Sequence, residues 1–378
     1  MKHDLSVVSA FQSMEDIHDS MILIDQPKAV RKGEELDIPK LSAYLRGINP
    51  EWDGDWEIHQ FSGGYSNLTY NVIIGDHDLI LRRPPFGANV KSGHDMEREY
   101  KVQDLLRPHF EPVAPVYHLC QDHDVMGCDF YVMQRVQGVI LRADGLGDNA
   151  SPEGYQKISE TWLRTFVDLH NVDYVAAGLE DLGKPDGYTR RQIEGWTRRY
   201  MRAQTHDLKE ANTVMEWLNK AIPTKEDHTL IHNDFKYDNV MFAPDDWSKI
   251  IAILDWEMAT IGNPVMDFAT SLAYWAEEED LAVFGPLISQ PTHQSGNPDR
   301  TQLIEMYGDQ SGRDMSDIVY LYVYGLFKIA VIVQQIYYRF HHGHTDDPRF
   351  AKLDQAVQGF CFKAVRAIEK NRVSQLFG

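Results

Sequence analysis

Two apolar runs that carry carboxylates constrain this chain more than any other feature of it. LIHNDFKYDNVMF, residues 230–242, sets His232, Asp234 and Asn239 among residues that otherwise read as two short strands. IIAILDWEMATIG, residues 250–262, is another strand-like run and stops on an acid, Asp255. The turn Ala243-Pro244-Asp245-Asp246-Trp247 joins them. Burying carboxylates beside strands costs free energy unless something compensates. A divalent cation with a phosphate group is one such compensation.

The segments around these runs differ in character. Residues 1–35 are mixed and acidic with no clear period, and are expected to form an N-terminal arm. LDIPKLSAYLRGI (36–48) reads as a short helix. WEIHQFSG, GYSNLTYNVII and HDLILRRPP are β-type, broken at Gly63-Gly64 and Gly75-Asp76. A helix is expected over about 94–107, then a strand, FYVMQRVQG (130–138). Beyond Gly138 the pattern turns helical. SPEGYQKISETWLRTFVDLHNV starts on a Ser151 cap and puts Trp162, Phe166 and Leu169 on one face; ANTVMEWLNKAI follows, and from about 264 onward the chain is mainly helical. The expectation is an α+β chain: an arm (1–35), a β-rich lobe (36–135) and a helix-rich lobe (136–378).

A length of 378 residues is consistent with two lobes. The net charge of −20 argues against a nucleic-acid partner, which would need clustered Lys and Arg. Three cysteines, Cys120, Cys128 and Cys361, have no metal-type spacing and fit a reducing compartment. The N-terminus reads as no secretory signal. Residues 318–338 are apolar over a bilayer-spanning length, yet Lys328 sits mid-run and Gln334 and Gln335 follow, so a buried helix is expected rather than a membrane span. The default is a soluble cytoplasmic protein.

Phosphoryl transfer needs few protein parts: a grip on the phosphates, a grip on magnesium and a group that orients the attacking hydroxyl. The order H-x-D-x-x-x-x-N supplies the last two. Asp234 would accept the hydroxyl proton, Asn239 would offer a carbonyl oxygen to magnesium, and Asp255 would bind the same metal. His232 braces the loop, and Asp238 is expected to face solvent.

HNDFKYDN followed by ILDWEMATIGNPVMDFA resembles the aminoglycoside phosphotransferase and choline kinase group, whose fold is protein-kinase-like. FSGGYSNLTY, LILRRPP, HDMEREY, FYVMQRVQG and FKIAVIVQQIYYR are similar to the kinase-like domains associated with acyl-CoA dehydrogenases. The resemblance covers about residues 36–345. It implies ATP and Mg2+ as cofactors and a small-molecule hydroxyl as phosphate acceptor, with neither nucleic acid nor membrane as partner.

The same resemblance places the remaining parts. The Gly-Gly hairpin with Ser66 and Asn67 would cover the phosphates. Arg82 stands where the general pattern has a phosphate-binding Lys, and Glu99, on the inward arc of its helix, would pair with it. Gln134 to Val136 would form the hinge that meets adenine. Asp267 would hold the catalytic loop. Two further departures are Asn233 for Gly and Asn263 for Asp. Trp196, Arg199 and Tyr200 lie in the segment expected to face the acceptor.

Three other readings compete. The acidic run Glu277 to Asp280 could attract a polycationic antibiotic, though a solvated helix end is the blander account. Arg82 raises the idea of a nucleotide-binding pseudokinase that regulates rather than catalyses. His341, His342 and His344 could bind a metal, but crowded histidines after a helix are more often an exposed loop.

Overall fold

The β-type segments pair into one antiparallel sheet because their side chains alternate between two covered faces. The computed structural model describes residues 24–61, 67–86, 94–147, 151–285 and 288–377. After helix α1 (Ile38–Ile48) come β1 (Trp56–Gln60), β2 (Leu68–Ile74), β3 (His77–Arg83), α2 (Met96–Leu106), β4 (Val116–Cys120), the short α3 (His123–Met126) and β5 (Phe130–Gln134). The strand order is β1-β2-β3-β5-β4. Asp95 caps α2 by accepting from the Arg98 N–H at 2.9 Å.

Alternation along β3 decides where its two arginines go. Leu79 and Leu81 pack with Leu41 and Leu45 of α1 on one face, while Ile80 packs with Met96 of α2 and Tyr131 on the other. Arg82 therefore shares the α2 face and Arg83 the α1 face. Arg83 is buried, donates to the Pro84 carbonyl at 3.1 Å and lies over the Phe86 ring.

The chain continues through α4 (Pro152–His170), α5 (Tyr188–Ala203), α6 (Lys209–Lys220), β6 (Thr229–Ile231), β7 (Val240–Phe242), β8 (Ile250–Ile253), β9 (Thr260–Gly262), α7 (Pro264–Tyr274), α8 (Leu281–Phe284), α9 (Arg300–Ser311), α10 (Ile318–His341) and α11 (Leu353–Lys370). Ser151 caps α4, its hydroxyl accepting from the Gly154 N–H at 3.0 Å. The two apolar runs fold as two small ladders, β6 with β9 and β7 with β8. Asn239 and Asp255 are thereby neighbours, since the Leu254 N–H donates to the Asn239 carbonyl at 2.8 Å.

Helix α10 is long and apolar enough to cross a membrane, and it lies buried among α5, α7 and α11. Gly325 lets it approach α7: a Cβ there would stand 2.9 Å from the Ala269 carbonyl oxygen. The arm is more ordered than its sequence suggests from residue 24 onward. Ile24 bridges to Val139, Lys28 bridges to Gln60 and Asp25 pairs with Arg142 at 2.8 Å, so this segment ties the sheet edge to residues 139–142.

Candidate active site

The loop between β6 and β7 carries His232 to Asn239, and its backbone is held from beneath by Asp267. Asp267 is buried in the first turn of α7 and accepts from the N–H groups of His232 and Asn233, each at 2.8 Å. His170 of α4 supports the same carboxylate at 3.2 Å. Burial holds His232 below its ordinary pKa, so the ring is neutral. Its Nε2–H donates to the Leu254 carbonyl at 2.9 Å, which leaves Nδ1 to accept from the Asp234 N–H at 3.3 Å. One imidazole thus links the strand end before Asp255 to the loop bearing Asp234.

Two residues that depart from the family pattern fit their places. Asn233 has φ = 67°, a left-handed conformation that Asn tolerates better than most residues. Its side chain accepts from the Tyr188 hydroxyl and donates to the Met258 carbonyl, contacts a glycine would lack. Asn263 caps α7, its oxygen accepting from the N–H groups of Val265 and Met266, the role an aspartate would fill.

The polar side chains converge at the loop. The Asn239 amide nitrogen donates to an Asp234 carboxylate oxygen at 2.7 Å, leaving its carbonyl oxygen as the atom free to meet a cation. Lys236 reaches the same Asp234 oxygen at 2.9 Å, and Asp234 and Asp238 together hold this buried ammonium above its ordinary pKa although burial acts the other way. Asp238 does not face solvent as expected. It is half-buried, and burial lifts its carboxyl to about 6 against the pull of Lys236.

On the sheet side, Arg82 makes two ion pairs from one nitrogen, to Glu99 and to Asp255, both at 3.0 Å. Glu99 is 1% exposed, and burial raises its carboxyl while Arg82 opposes the shift. Its second oxygen and the Arg82 Nε are buried without hydrogen-bond partners. Asp255, two residues past the end of β8, is left-handed with φ = 66°, and only one of its oxygens is taken by Arg82. The donor set of Asn239 and Asp255, a carbonyl and a carboxylate at neighbouring backbone positions, suits magnesium, which takes few protein ligands and prefers oxygen.

Other expected residues stand differently. Asn67 is turned away from a phosphate role: its amide donates to Glu257 at 2.9 Å and its oxygen meets His94 at 2.8 Å. Ser66 lies outside the described residues. Of residues 134–136, expected to meet adenine, the Gln134 N–H is bound to the Pro115 carbonyl at 2.9 Å and the Arg135 N–H to the Asp78 carbonyl at 3.4 Å. The acidic run is no solvated helix end. Arg300, fully buried, pairs with Glu277 at 2.7 Å and Asp280 at 2.6 Å, and Lys363 pairs with Asp280 at 2.6 Å. His341, His342 and His344 form no metal cluster, and none is found among the described residues.

With this geometry in place, comparison with known proteins decides the family. The model of the phosphotransferase enzyme family matches residues 57–304. The chain belongs to that family. A solved relative, a putative aminoglycoside phosphotransferase from Ralstonia eutropha, is 30% identical; the match covers 89% of this chain and 99% of that one with a TM-score of 0.75. An aminoglycoside phosphotransferase solved in ternary complex with ADP and hygromycin B shares the fold at 15% identity and a TM-score of 0.55. The architecture is the protein-kinase-like, two-lobed α+β fold. Among curated proteins, human acyl-CoA dehydrogenase family member 11 is 32% identical over 325 residues, 84% of this chain and 41% of the relative. Mouse member 10 is 30% identical over 318 residues, again 84% of this chain and 30% of the relative. This phosphotransferase spans less than half the length of those relatives.

Two lysines of the phosphotransferase escaped the sequence reading. Lys236 sits inside the quoted motif, two residues after Asp234, a spacing that carries a cation back to the carboxylate. Lys328, 2% exposed in the middle of α10, donates to the Asn233 carbonyl at 2.9 Å. Its signal was a lone lysine in an apolar run, used only as an argument against a membrane span.

Proposed function

We propose that the protein transfers the γ-phosphate of ATP, with Mg2+, to a hydroxyl of a small molecule, a hydroxyacyl or other metabolic compound among the candidates. The observation that carries this reading is the meeting of Arg82, Glu99 and Asp255 from one side with Asp234 and Asn239 from the other. In this reading residues 36–135 and 136–378 are the two lobes, and the nucleotide lies between them. Arg82, held by Glu99, pairs with the phosphates. Asn239 and Asp255 hold the magnesium ion, which neutralises charge on the phosphate oxygens when bound. Arg82 gives up its contact with Asp255 in that state and keeps Glu99. Val136 offers backbone groups to adenine.

Asp234 orients the acceptor hydroxyl and takes its proton as the O–P bond forms. Lys236 and the Asn239 amide both bond its carboxylate and fix its direction. His232 and Asp267 are positioning residues that set the loop. The antibiotic-kinase alternative loses its main support, because the acidic run is spent on Arg300 and Lys363. A nucleotide-binding module without turnover is favoured by one observation, the direct pairing of Arg82 with Asp255.

Two variants separate these readings. Asp255→Ala is expected to abolish Mg2+-dependent nucleotide binding, measured by calorimetry, with the fold intact. Asp234→Asn is expected to lower kcat roughly 10²–10⁴-fold at near-native KM for ATP, the usual range for a lost general base. Binding with no turnover over a broad panel of hydroxylated metabolites favours the module, whereas wild-type kcat in Asp234→Asn removes Asp234 as the base.

A further inference from the structure

The chain carries a net charge of −20, yet the cavity beside the Asp234 loop is lined the opposite way. It has a volume of about 570 Å3, within the roughly 300–1,000 Å3 usual for small-molecule sites. Its cations are Arg98, Lys184, Arg191, Arg199 and Lys328; its carboxylates are Asp95 and Glu257. The five cations outnumber the two acids, of which Asp95 acts on Arg98. Asp95 caps α2, and Glu257 accepts from Asn67.

The cations divide by what they have left to give. Arg98 donates to the carbonyls of Leu182 and Ala259, and Arg191 to those of Lys184 and Asp186. Arg199 lies 4.5 Å over the Trp196 ring and has neither ion pair nor hydrogen bond among the described residues. Lys328 has three donors and one hydrogen bond, to a neutral carbonyl. A cation so deeply buried, lining a cavity with only the Trp196 ring at 5.9 Å beside that carbonyl and no carboxylate in contact, has little of the compensation that burial of charge demands. The nearest acid by charge, Asp267, already serves two backbone N–H groups and His170.

We infer that the phosphate acceptor carries an anionic group, a carboxylate or a phosphate, which docks between Lys328 and Arg199 while its hydroxyl lies at Asp234. This rests on the phosphotransfer reading for the place of the hydroxyl. Lys328 grips the carbonyl of Asn233, the residue before Asp234, so an anion on Lys328 stands one residue from the proposed base. Trp196 supplies an apolar wall for the body of the molecule and a platform for Arg199. A polycationic acceptor would meet five like charges here.

The test uses the full chain without nucleotide, so it reads separately from phosphotransfer. Inorganic phosphate and, in a second arm, acetate are titrated at constant ionic strength. The signal is the part of tryptophan fluorescence that Trp196→Phe removes. A saturable change is expected with at least one anion, its midpoint raised about tenfold or more in Lys328→Met and in Arg199→Ala, and unmoved in Lys157→Ala, a change at an exposed surface ion pair. Preference for phosphate over acetate identifies a phosphorylated acceptor, and the reverse a carboxylate. No saturable change with either anion, a midpoint unmoved in Lys328→Met or in Arg199→Ala, or an equal response to choline overturns the inference. Arg199 is exposed, so its variant does not depend on refolding a core. Failure of Asp255→Ala to lose Mg2+-dependent nucleotide binding would instead count against the phosphotransfer reading alone.

Discussion

Replacing Lys328 by Met should make the protein more tolerant of denaturant near neutral pH and less so in alkali. Burial lowers the Lys328 pKa from 10.5 to about 8. The groups that face it are Asp267 and Asp234, which raise it, and Lys236 and Arg199, which lower it further. A folded pKa below the unfolded one means the folded chain disfavours the ammonium. Above 10.5 both states hold a neutral amine and there is no penalty. As pH falls towards 8 the unfolded chain takes up the proton first, and below 8 the penalty is complete. At 1.36 kcal/mol for each unit, it amounts to about 3 kcal/mol. Met fills nearly the same volume without charge, but leaves the Asn233 carbonyl unpaired, a cost of about 1–3 kcal/mol. The difference in unfolding free energy, variant minus wild type, should therefore rise by about 3 kcal/mol between pH 10.5 and pH 7. Paired urea melts at the two pH values measure it, and every other titrating group cancels in the difference. A difference that stays the same at both pH values would refute the buried-cation account, and with it the argument that this lysine is kept at a cost in stability.

Two further outcomes test the sheet and the far side of the helical lobe. Arg82→Ala should weaken nucleotide binding more than Arg83→Ala, since Arg82 faces Glu99 and Asp255 while Arg83 is packed on the α1 face; equal losses by calorimetry would show that the register is misread. Arg300→Met should cost about 3–5 kcal/mol of stability, because Glu277 loses its ion pair and the buried Asp280 keeps only Lys363, and a loss below about 1 kcal/mol in urea melts would show that the cluster relaxes freely.

Local pattern was enough for much of this protein. The periods of two and of 3.6 placed the sheet before the helices, and Ser151 starts its helix as a short polar cap does, through a backbone contact only three residues away. HNDFKYDN and the acid at the end of ILD singled out Asp234, Asn239 and Asp255, which meet in the fold because they lie along one strand-loop-strand unit. Alternation along β3 likewise separated Arg82 from Arg83, and helical spacing turned Glu99 inward.

Tertiary structure decided everything that depends on which distant side chain answers a charge. The acidic run at 277–280 reads as solvated until Arg300 and Lys363, tens of residues away, are folded against it. Asp238 reads as a surface residue until the loop closes over Lys236. Asn67, expected at a phosphate, turns instead to Glu257, 190 positions further on. Lys328 reads as an interruption in an apolar helix, and only the packing of α10 beneath the 232–239 loop makes it the donor to Asn233 and the floor of a basic cavity. Charge-charge energy depends on distance in space and on local water, and neither is written in the order of residues along a chain.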